Sequence, residues 1–355
     1  MGELDASSSS EASASDTQGE SSSESATATE TETETETVGE SETDSAETDS
    51  AETGTAQPVP SVTNVELVYG EELSQTLELY RADPPPASAP ATVVLAHGGL
   101  WQGGDKDSLE ALCELIVERS LGEVACASIN YRLSDSLGGS CDAEPGLDTY
   151  RGQLEDFAAA LALLQAESGE LGLDEAAMWV GGHSAGGHLA LSLDLRYAEF
   201  AAACPGPGGC GAPRGAIGFE GIYDLEIWDA YDASQWNGQF QCATRKAFGA
   251  PPEAGTPCMD AQLGLSCWEA GSPRVLADQA VDLGIEPVGP ALLIHSPGDN
   301  WVDVAEAIEM EAAWLAAFPE VEVVRETQGA CASGQHNDVL SQPTLADCII
   351  DFVVE

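Results

Sequence analysis

The sequence predicts an α/β domain with a mostly parallel sheet covered by helices on both faces. Three observations carry this. Strand-like apolar runs alternate with helix-like segments from residue 91 onward, the order that yields a parallel sheet. A Gly-x-Ser-x-Gly motif, Gly182-His183-Ser184-Ala185-Gly186, joins an apolar strand to a helix rich in Leu and Ala. Ser184, Asp299 and His336 each follow a predicted strand, and an open α/β sheet gathers its functional groups at the carboxyl ends of its strands.

Residues 1–60 lie outside that pattern. They are mostly Ser, Thr, Glu, Ala and Asp, with a Thr-Glu alternation over 31–36 and a near-repeat at 42–46 and 47–51. Without aromatic residues, and with almost no large aliphatic ones, the stretch cannot bury enough apolar surface to offset the entropy of ordering. The expectation is a disordered acidic tail, closed by Pro58 and Pro60 as a linker to one folded domain over 61–355.

Taken in order, 62–69 and 76–80 alternate apolar with polar residues about Gly70, which predicts an antiparallel pair. The loop Asp83-Pro84-Pro85-Pro86 leads to a buried strand over 91–96, which runs into His97-Gly98-Gly99-Leu100-Trp101. A helix over 108–119 places Leu109, Leu112 and Ile116 on one face, and a strand follows over 124–131. The segment 134–148 is Gly-rich and loop-like. Residues 150–165 carry Leu154, Phe157, Ala158, Leu161 and Leu164 on one stripe, an amphipathic helix. The strand 177–180 enters the Ser184 motif. A strand over 215–222 precedes 228–268, which is irregular and rich in aromatic residues and Cys. A strand over 291–295, a helix over 304–318, a last strand over 321–325 and a closing helix over 345–352 complete the domain, with His336 in the loop before that helix.

The 355-residue chain has a formal net charge of −51. Sixteen of its 62 acidic residues lie in the tail, which has no Lys or Arg; residues 61–355 therefore carry 46 acidic against 11 basic residues. Such a surface repels nucleic acid and anionic membrane, both polyanions, and argues against either as partner. It also keeps a protein soluble in high salt.

Ten cysteines, Cys113, Cys126, Cys141, Cys204, Cys210, Cys242, Cys258, Cys267, Cys331 and Cys348, form no Cys-x-x-Cys pair, and the five histidines are not spaced as zinc partners. No metal site is expected. The even number and the loop positions predict disulfides and an oxidising compartment. Cys204 and Cys210, flanking Pro-Gly-Pro-Gly-Gly, are a candidate local pair. The N-terminus has neither a basic start nor an apolar core, no run is long enough to span a membrane, and Ala6 stands where myristoylation requires Ser or Thr. The expectation is an exported or cell-surface protein whose signal or anchor segment is absent from this sequence; a cytoplasmic one is the alternative.

The chemistry centres on Ser184. A serine hydroxyl is a poor nucleophile at neutral pH and needs a general base, which in turn needs an orienting carboxylate. The order Ser184, Asp299, His336 supplies all three in the sequence expected of a nucleophile elbow. His97 and His183 sit in backbone-shaping motifs, His188 lies within the elbow helix and His295 ends a strand, which leaves His336 as the base. Asp303 and Asp338 are the rivals to Asp299, with Asp303 more suited to capping the helix that follows it. Backbone N–H groups of Gly98, Gly99 and Ala185 are placed to form an oxyanion hole.

With these motifs in place, residues 62–355 resemble the α/β-hydrolase fold, and within it the esterase branch of hormone-sensitive-lipase-like carboxylesterases and kynurenine formamidases. The resemblance rests on His97-Gly98-Gly99-Leu100-Trp101 with Gly104-Asp105-Lys106, on Asn130-Tyr131-Arg132-Leu133 and on Gly182 to His188. It continues through Gly221-Ile222-Tyr223-Asp224-Leu225, Ser272-Pro273, Asp299 and His336. It implies Ser184 as nucleophile, Asp299 and His336 completing the triad, Gly98, Gly99 and Ala185 as oxyanion donors, and no cofactor. Leu100, where lipase-like members often carry a third Gly, leans toward the formamidase-like side. Trp101 is a candidate wall of the acyl pocket, packing beneath the loop being the alternative. The segment 228–268 is read as a lid lining a substrate cleft or as a disulfide-stiffened satellite.

The reading that follows is a serine hydrolase acting on carboxylic esters of small to medium size through an acyl-enzyme. The alternatives are an arylformamidase-like amidase acting on N-formyl aryl amides, and a surface-binding scaffold without catalysis.

Overall fold

The computed structural model describes residues 59–134, 150–201, 211–254, 258–287 and 289–355, which belong to one compact unit. The expected disordered tail lies outside the described residues apart from Val59 and Pro60, as do most of the 134–148 loop and the Cys204–Cys210 pair.

The chain opens with β1 (Ser61–Val68) and β2 (Thr76–Asp83), an antiparallel pair, then β3 (Ala91–Ala96). A short 3-10 turn (Lys106–Leu109) leads into α1 (Glu110–Arg119), followed by β4 (Val124–Ile129), α2 (Tyr150–Ala166) and α3 (Ser168–Leu171). Next come β5 (Met178–His183), α4 (Ala185–Ala201) and β6 (Ala216–Phe219). Within 228–268, where the sequence suggests an irregular insertion, α5 (Leu225–Gln235) and α6 (Gln241–Phe248) are helical, and three short helices follow from its end: α7 (Cys267–Ala270), α8 (Pro273–Asp278) and α9 (Ala280–Leu283). The domain closes with β7 (Ala291–Ile294), α10 (Ala305–Ala317), β8 (Val323–Glu326) and α11 (Pro343–Val354).

The eight strands form one sheet in the order β1-β2-β4-β3-β5-β6-β7-β8, parallel from β4 to β8 and antiparallel at β1 and β2. The sequence explains the layers. Every residue of β4 and β5 is buried, as helices on both faces require, whereas β1 at the edge alternates in exposure. One apolar core lies under α2, α4 and α10; the other, with Leu112, Ile116, Leu345 and Ile349, lies under α1 and α11. Cys113–Cys126 fastens α1 to β4, and Cys331–Cys348 fastens the loop before His336 to α11.

Several of the sequence motifs are clamps between these elements. Asp105 caps the 3-10 turn and accepts from Asn130 Nδ2, and Asn130 Oδ1 accepts the Lys106 N–H at 2.7 Å. Asp224 caps α5 through the N–H groups of Glu226 and Ile227 and pairs with Arg274. Ser272 Oγ accepts the Leu225 N–H and donates to the Trp268 carbonyl.

The insertion is tied to the elbow helix by a buried ion pair. Arg196, on α4 and shielded from water, donates to Asp260 Oδ2 at 2.7 Å, to Glu199, and to Tyr150 Oη at 2.9 Å. Asp260 Oδ1 also accepts the N–H groups of Gln262 and Leu263. Removing Asp260 leaves the buried Arg196 guanidinium with Glu199 as its remaining carboxylate and costs it the better-buried partner. Asp260→Ala is therefore expected to lower unfolding free energy by about 3 kcal/mol, read as a shift in the urea midpoint with unchanged slope. A midpoint equal to that of the wild type would show that the pair does not hold the insertion.

Candidate active site

Sheet register builds the site. His183, Phe219, Ile294 and Glu326, the last residues of β5, β6, β7 and β8, pair across the sheet in one row. The ladder runs one residue further: the N–H groups of Ser184, Glu220 and His295 each donate at 2.9 Å to the carbonyls of Phe219, Ile294 and Glu326. The residues just after the strands therefore stand side by side at the carboxyl edge.

Ser184 has φ +54°, the left-handed conformation of a strained strand-to-helix turn, at the start of α4. Its flanking glycines are required sterically. A Cβ on Gly182 would fall 2.5 Å from the Ala96 carbonyl oxygen, and one on Gly186 would fall 2.0 Å from the same oxygen. The turn thus presses the end of β3 against Ser184.

The loop leaving β3 is shaped by a matching set of contacts. Gly99, Leu100 and Trp101 form a left-handed run with φ of +124°, +56° and +59°. His97 stacks on Tyr131 with ring centres 4.4 Å apart and donates through Nδ1 to the Gly98 carbonyl, while Tyr131 Oη donates to the His97 carbonyl. Burial lowers the His97 pKa, which favours the neutral ring.

Trp101 does not wall the pocket. It is fully buried, packs edge-on against Phe248 and His188, and donates its indole N–H to His188 Nδ1 at 3.1 Å. His188 in turn donates from Nε2 to the Gly271 carbonyl at 2.6 Å, and burial lowers its pKa to about 4. An indole seeks such a partner when buried, so the side chain anchors the loop from beneath. Leu100 takes the place in the cavity that the sequence suggested for Trp101.

Asp299 and His336 meet as expected. His336 Nδ1 lies 2.8 Å from Asp299 Oδ2, and Asp299 Oδ1 accepts the Trp301 and Val302 N–H groups at 2.7 and 3.2 Å. Burial opposes ionisation of Asp299, but the hydrogen bond from His336, with the neighbouring Glu220 carboxyl, outweighs it and holds the carboxyl well below the usual carboxylate range. Of the rivals, Asp303 accepts the Ala305 N–H at the start of α10, and Asp338 accepts the Gln335 N–H. Both act as local turn or cap residues.

Ser184, His336, Gly98, Gly99 and Leu100 line one cavity of about 410 Å³, closed by Trp228, Phe240, Trp301, Val302 and Leu340. Trp228 and Phe240 come from the segment 228–268, which Cys258–Cys267 also crosslinks. Trp301 stacks nearly parallel to His336 at 5.9 Å, and Phe240 on Trp301 at 5.4 Å.

Three neighbours of Asp299 and His336 are less visible in the sequence. His183 donates from Nε2 to the His336 carbonyl at 2.9 Å, and burial followed by the nearby His336 charge lowers its pKa to about 3. Trp301 follows Asp299 by two residues; an aromatic residue in a turn gives no signal of its own. Glu220 follows β6 directly, and a carboxylate at a strand's carboxyl end is a signal that could have found it. Glu220, His295 and Asp299 bring one possible metal-ligand atom each within 4.8 Å of one another. Asp299 Oδ2 is already committed to His336, so the cluster suits proton sharing rather than metal binding.

This topology and elbow define the α/β-hydrolase fold. Among solved structures the chain is similar to a truncated carbohydrate esterase from gut microbiota, with 15% identity, 84% of this chain and 97% of that one covered, and a TM-score of 0.59. It is also similar to esterase B from Lactobacillus rhamnosis (18% identity, 84% and 88% covered, TM-score 0.59) and to a bacterial heroin esterase (19%, 82% and 82%, TM-score 0.57). No curated protein is similar to the chain in sequence. Residues 77–239, from β2 through the oxyanion loop and elbow into α5, match the BD-FAE family model.

The close approach at Gly186 gives a direct test. Gly186→Ala puts a methyl group into the backbone of Ala96 and His97. It is expected to destabilise the fold by about 3 kcal/mol and, by shifting the Gly98 loop, to lower kcat on an aryl ester on the order of 10²-fold. Denaturant midpoint and initial rates measured on the same preparation check both; wild-type values for the two would contradict the packing account.

Proposed function

We propose that this protein is a serine hydrolase cleaving carboxylic esters of small to medium size. The observation that carries the reading is the single cavity onto which Ser184 and His336 both open, with Asp299 bonded to the imidazole at 2.8 Å. Ser184 Oγ attacks the ester carbonyl and gives its proton to His336 Nε2, while Asp299 holds the ring through Nδ1–H. The N–H groups of Gly98, Gly99 and Ala185 receive the developing oxyanion. His336 then protonates the departing alcohol, and a water molecule, activated by the same imidazole, releases the acid from the acyl-enzyme. No cofactor enters these steps.

The lining supports a substrate of modest size. About 410 Å³ walled by Leu100, Trp228, Phe240, Trp301, Val302 and Leu340 lies at the small end of ligand sites and is mostly apolar. The match to BD-FAE and the likeness to proteins named as esterases favour ester over amide chemistry. We also read the protein as exported, since the described cysteines are all in disulfides, a state that persists in oxidising compartments. Among the described residues no helix is long and apolar enough to cross a membrane.

The test is a panel of aryl esters from acetate to decanoate beside N-formylkynurenine, run with the wild type and Ser184→Ala. Turnover of the shorter esters is expected, with a loss of roughly 10⁴-fold or more in the variant and an unchanged circular-dichroism spectrum. Equal ester hydrolysis by the two proteins, or turnover of the formamide alone, would overturn the assignment.

A further inference from the structure

Glu220 has no part in the steps above, yet it is among the least accessible charged-type residues of the molecule. It follows β6 in the left-handed region, with φ +54°, and has no exposed surface. A non-glycine residue in that conformation is held there by its surroundings. Its backbone N–H donates to the Ile294 carbonyl, and its Oε1 accepts the Ser296 N–H at 2.9 Å. Both contacts tie it to the end of β7, the strand that delivers Asp299.

Oε2 is the informative atom. Among the described residues it finds no donor, and it faces the Asp299 carboxylate, His295 Nε2 lying within 3.5 Å of both. His295 Nε2 is 3.5 Å from it, but that nitrogen donates to the Val302 carbonyl at 3.2 Å. His295 Nδ1 is unpartnered, and burial lowers the ring's pKa. The titratable groups around Glu220 are thus Asp299 and His295 from the β7 end, with Asp303 beyond them, His336 and His183 past Asp299, and Tyr223 from its own loop. None is Lys or Arg. Two ionised carboxylates can only accept hydrogen bonds, and a dry site with no cation beside Glu220 cannot hold both. A proton on Oε2 converts the clash into a hydrogen bond.

We propose that Glu220 is a positioning residue that works as a neutral carboxylic acid, donating its Oε2 proton to Asp299 and so holding that carboxylate in line with His336. Burial, and then the facing Asp299, push its pKa up, in keeping with the geometry. Asp299 thereby gathers donors on both oxygens, from Trp301 and Val302 on Oδ1 and from His336 on Oδ2, while the pair keeps a single negative charge. The inference rests on the serine-esterase reading for its role in rate, although the protonation state can be observed without any substrate.

Three measurements test it. Infrared difference spectra of the wild type at neutral pH against Glu220→Gln are expected to contain the C=O stretch of a protonated carboxyl, assigned to Glu220 because the variant lacks it. In kinetics, Glu220→Leu, which keeps the bulk and removes the donor, is expected to lower kcat about 10-fold or more with KM little changed. Glu220→Gln, which can still accept from Ser296 and donate to Asp299, should recover most of that loss and keep the acid limb of kcat/KM within about 0.3 pH unit of the wild type. A missing carboxyl band, or a Gln variant whose acid limb falls by about one pH unit or more, would show that Glu220 is ionised and overturn the proposal. Wild-type kcat in the Leu variant would remove the positioning role. An inactive wild type would instead refute the esterase reading and leave the infrared result to decide the proton.

Discussion

The structure depends on one close approach, the backbone of Ser184 and its flanking glycines against the end of β3. A left-handed serine between a strand and a helix is stable only where neighbouring backbone can come within side-chain distance. Gly182 and Gly186 allow the Ala96 carbonyl to do so. That contact sets the level at which the Gly98-Gly99 loop leaves the sheet, so Ser184 and the proposed oxyanion donors are fixed by one constraint. Trp101, buried under the loop against Phe248 and bonded through His188 to the carbonyl of Gly271, extends the constraint to α4, α6 and the turn after α7.

Around that framework the histidines beside the site are buried and neutral. Burial lowers the pKa of His97, His183, His188 and His295, and three of the four use a ring N–H to fix a loop carbonyl next to the site: Gly98 for His97, His336 for His183 and Val302 for His295. His336 is left with a close carboxylate bond, Nδ1 lying 2.8 Å from Asp299 Oδ2, while His295 Nε2 stands 3.4 Å from the same oxygen. A neutral setting strengthens the one charged interaction it contains, because few dipoles or ions compete for it. The acidic surface, formally −35 over residues 61–355, is therefore a matter of solubility rather than of chemistry at Ser184.

Much of this was legible in the sequence, for identifiable reasons. Strands such as 91–96 and 291–295 are short apolar runs with punctuated ends, so their type and position follow from pattern, and their parallel order follows from the helices between them. The grouping of Ser184, Asp299 and His336 was legible because the three residues follow strand ends in a fixed chain order, which the register of β5 to β8 then aligns. The insertion was misread as irregular because its helices are short and packed by tertiary contacts. α6, for example, has Ala243, Thr244, Ala247 and Phe248 buried against the body of the domain rather than a long periodic stripe. Trp101 was ambiguous for a related reason: an aromatic residue beside a glycine loop can point to ligand or core, and only the His188 lone pair decides. Glu220 and Trp301 were missed because their roles arise from distance in space, with no motif to announce them.

The central claim is that Ser184 is an activated nucleophile in the folded protein. It is tested most directly by reacting the native protein with a fluorophosphonate and locating the adduct by intact mass and peptide mapping. The account predicts one adduct per chain, on Ser184, formed in the native state and absent after denaturation or in His336→Gln. No adduct on the native wild type, or an adduct on another residue with Ser184 unmodified, would contradict it.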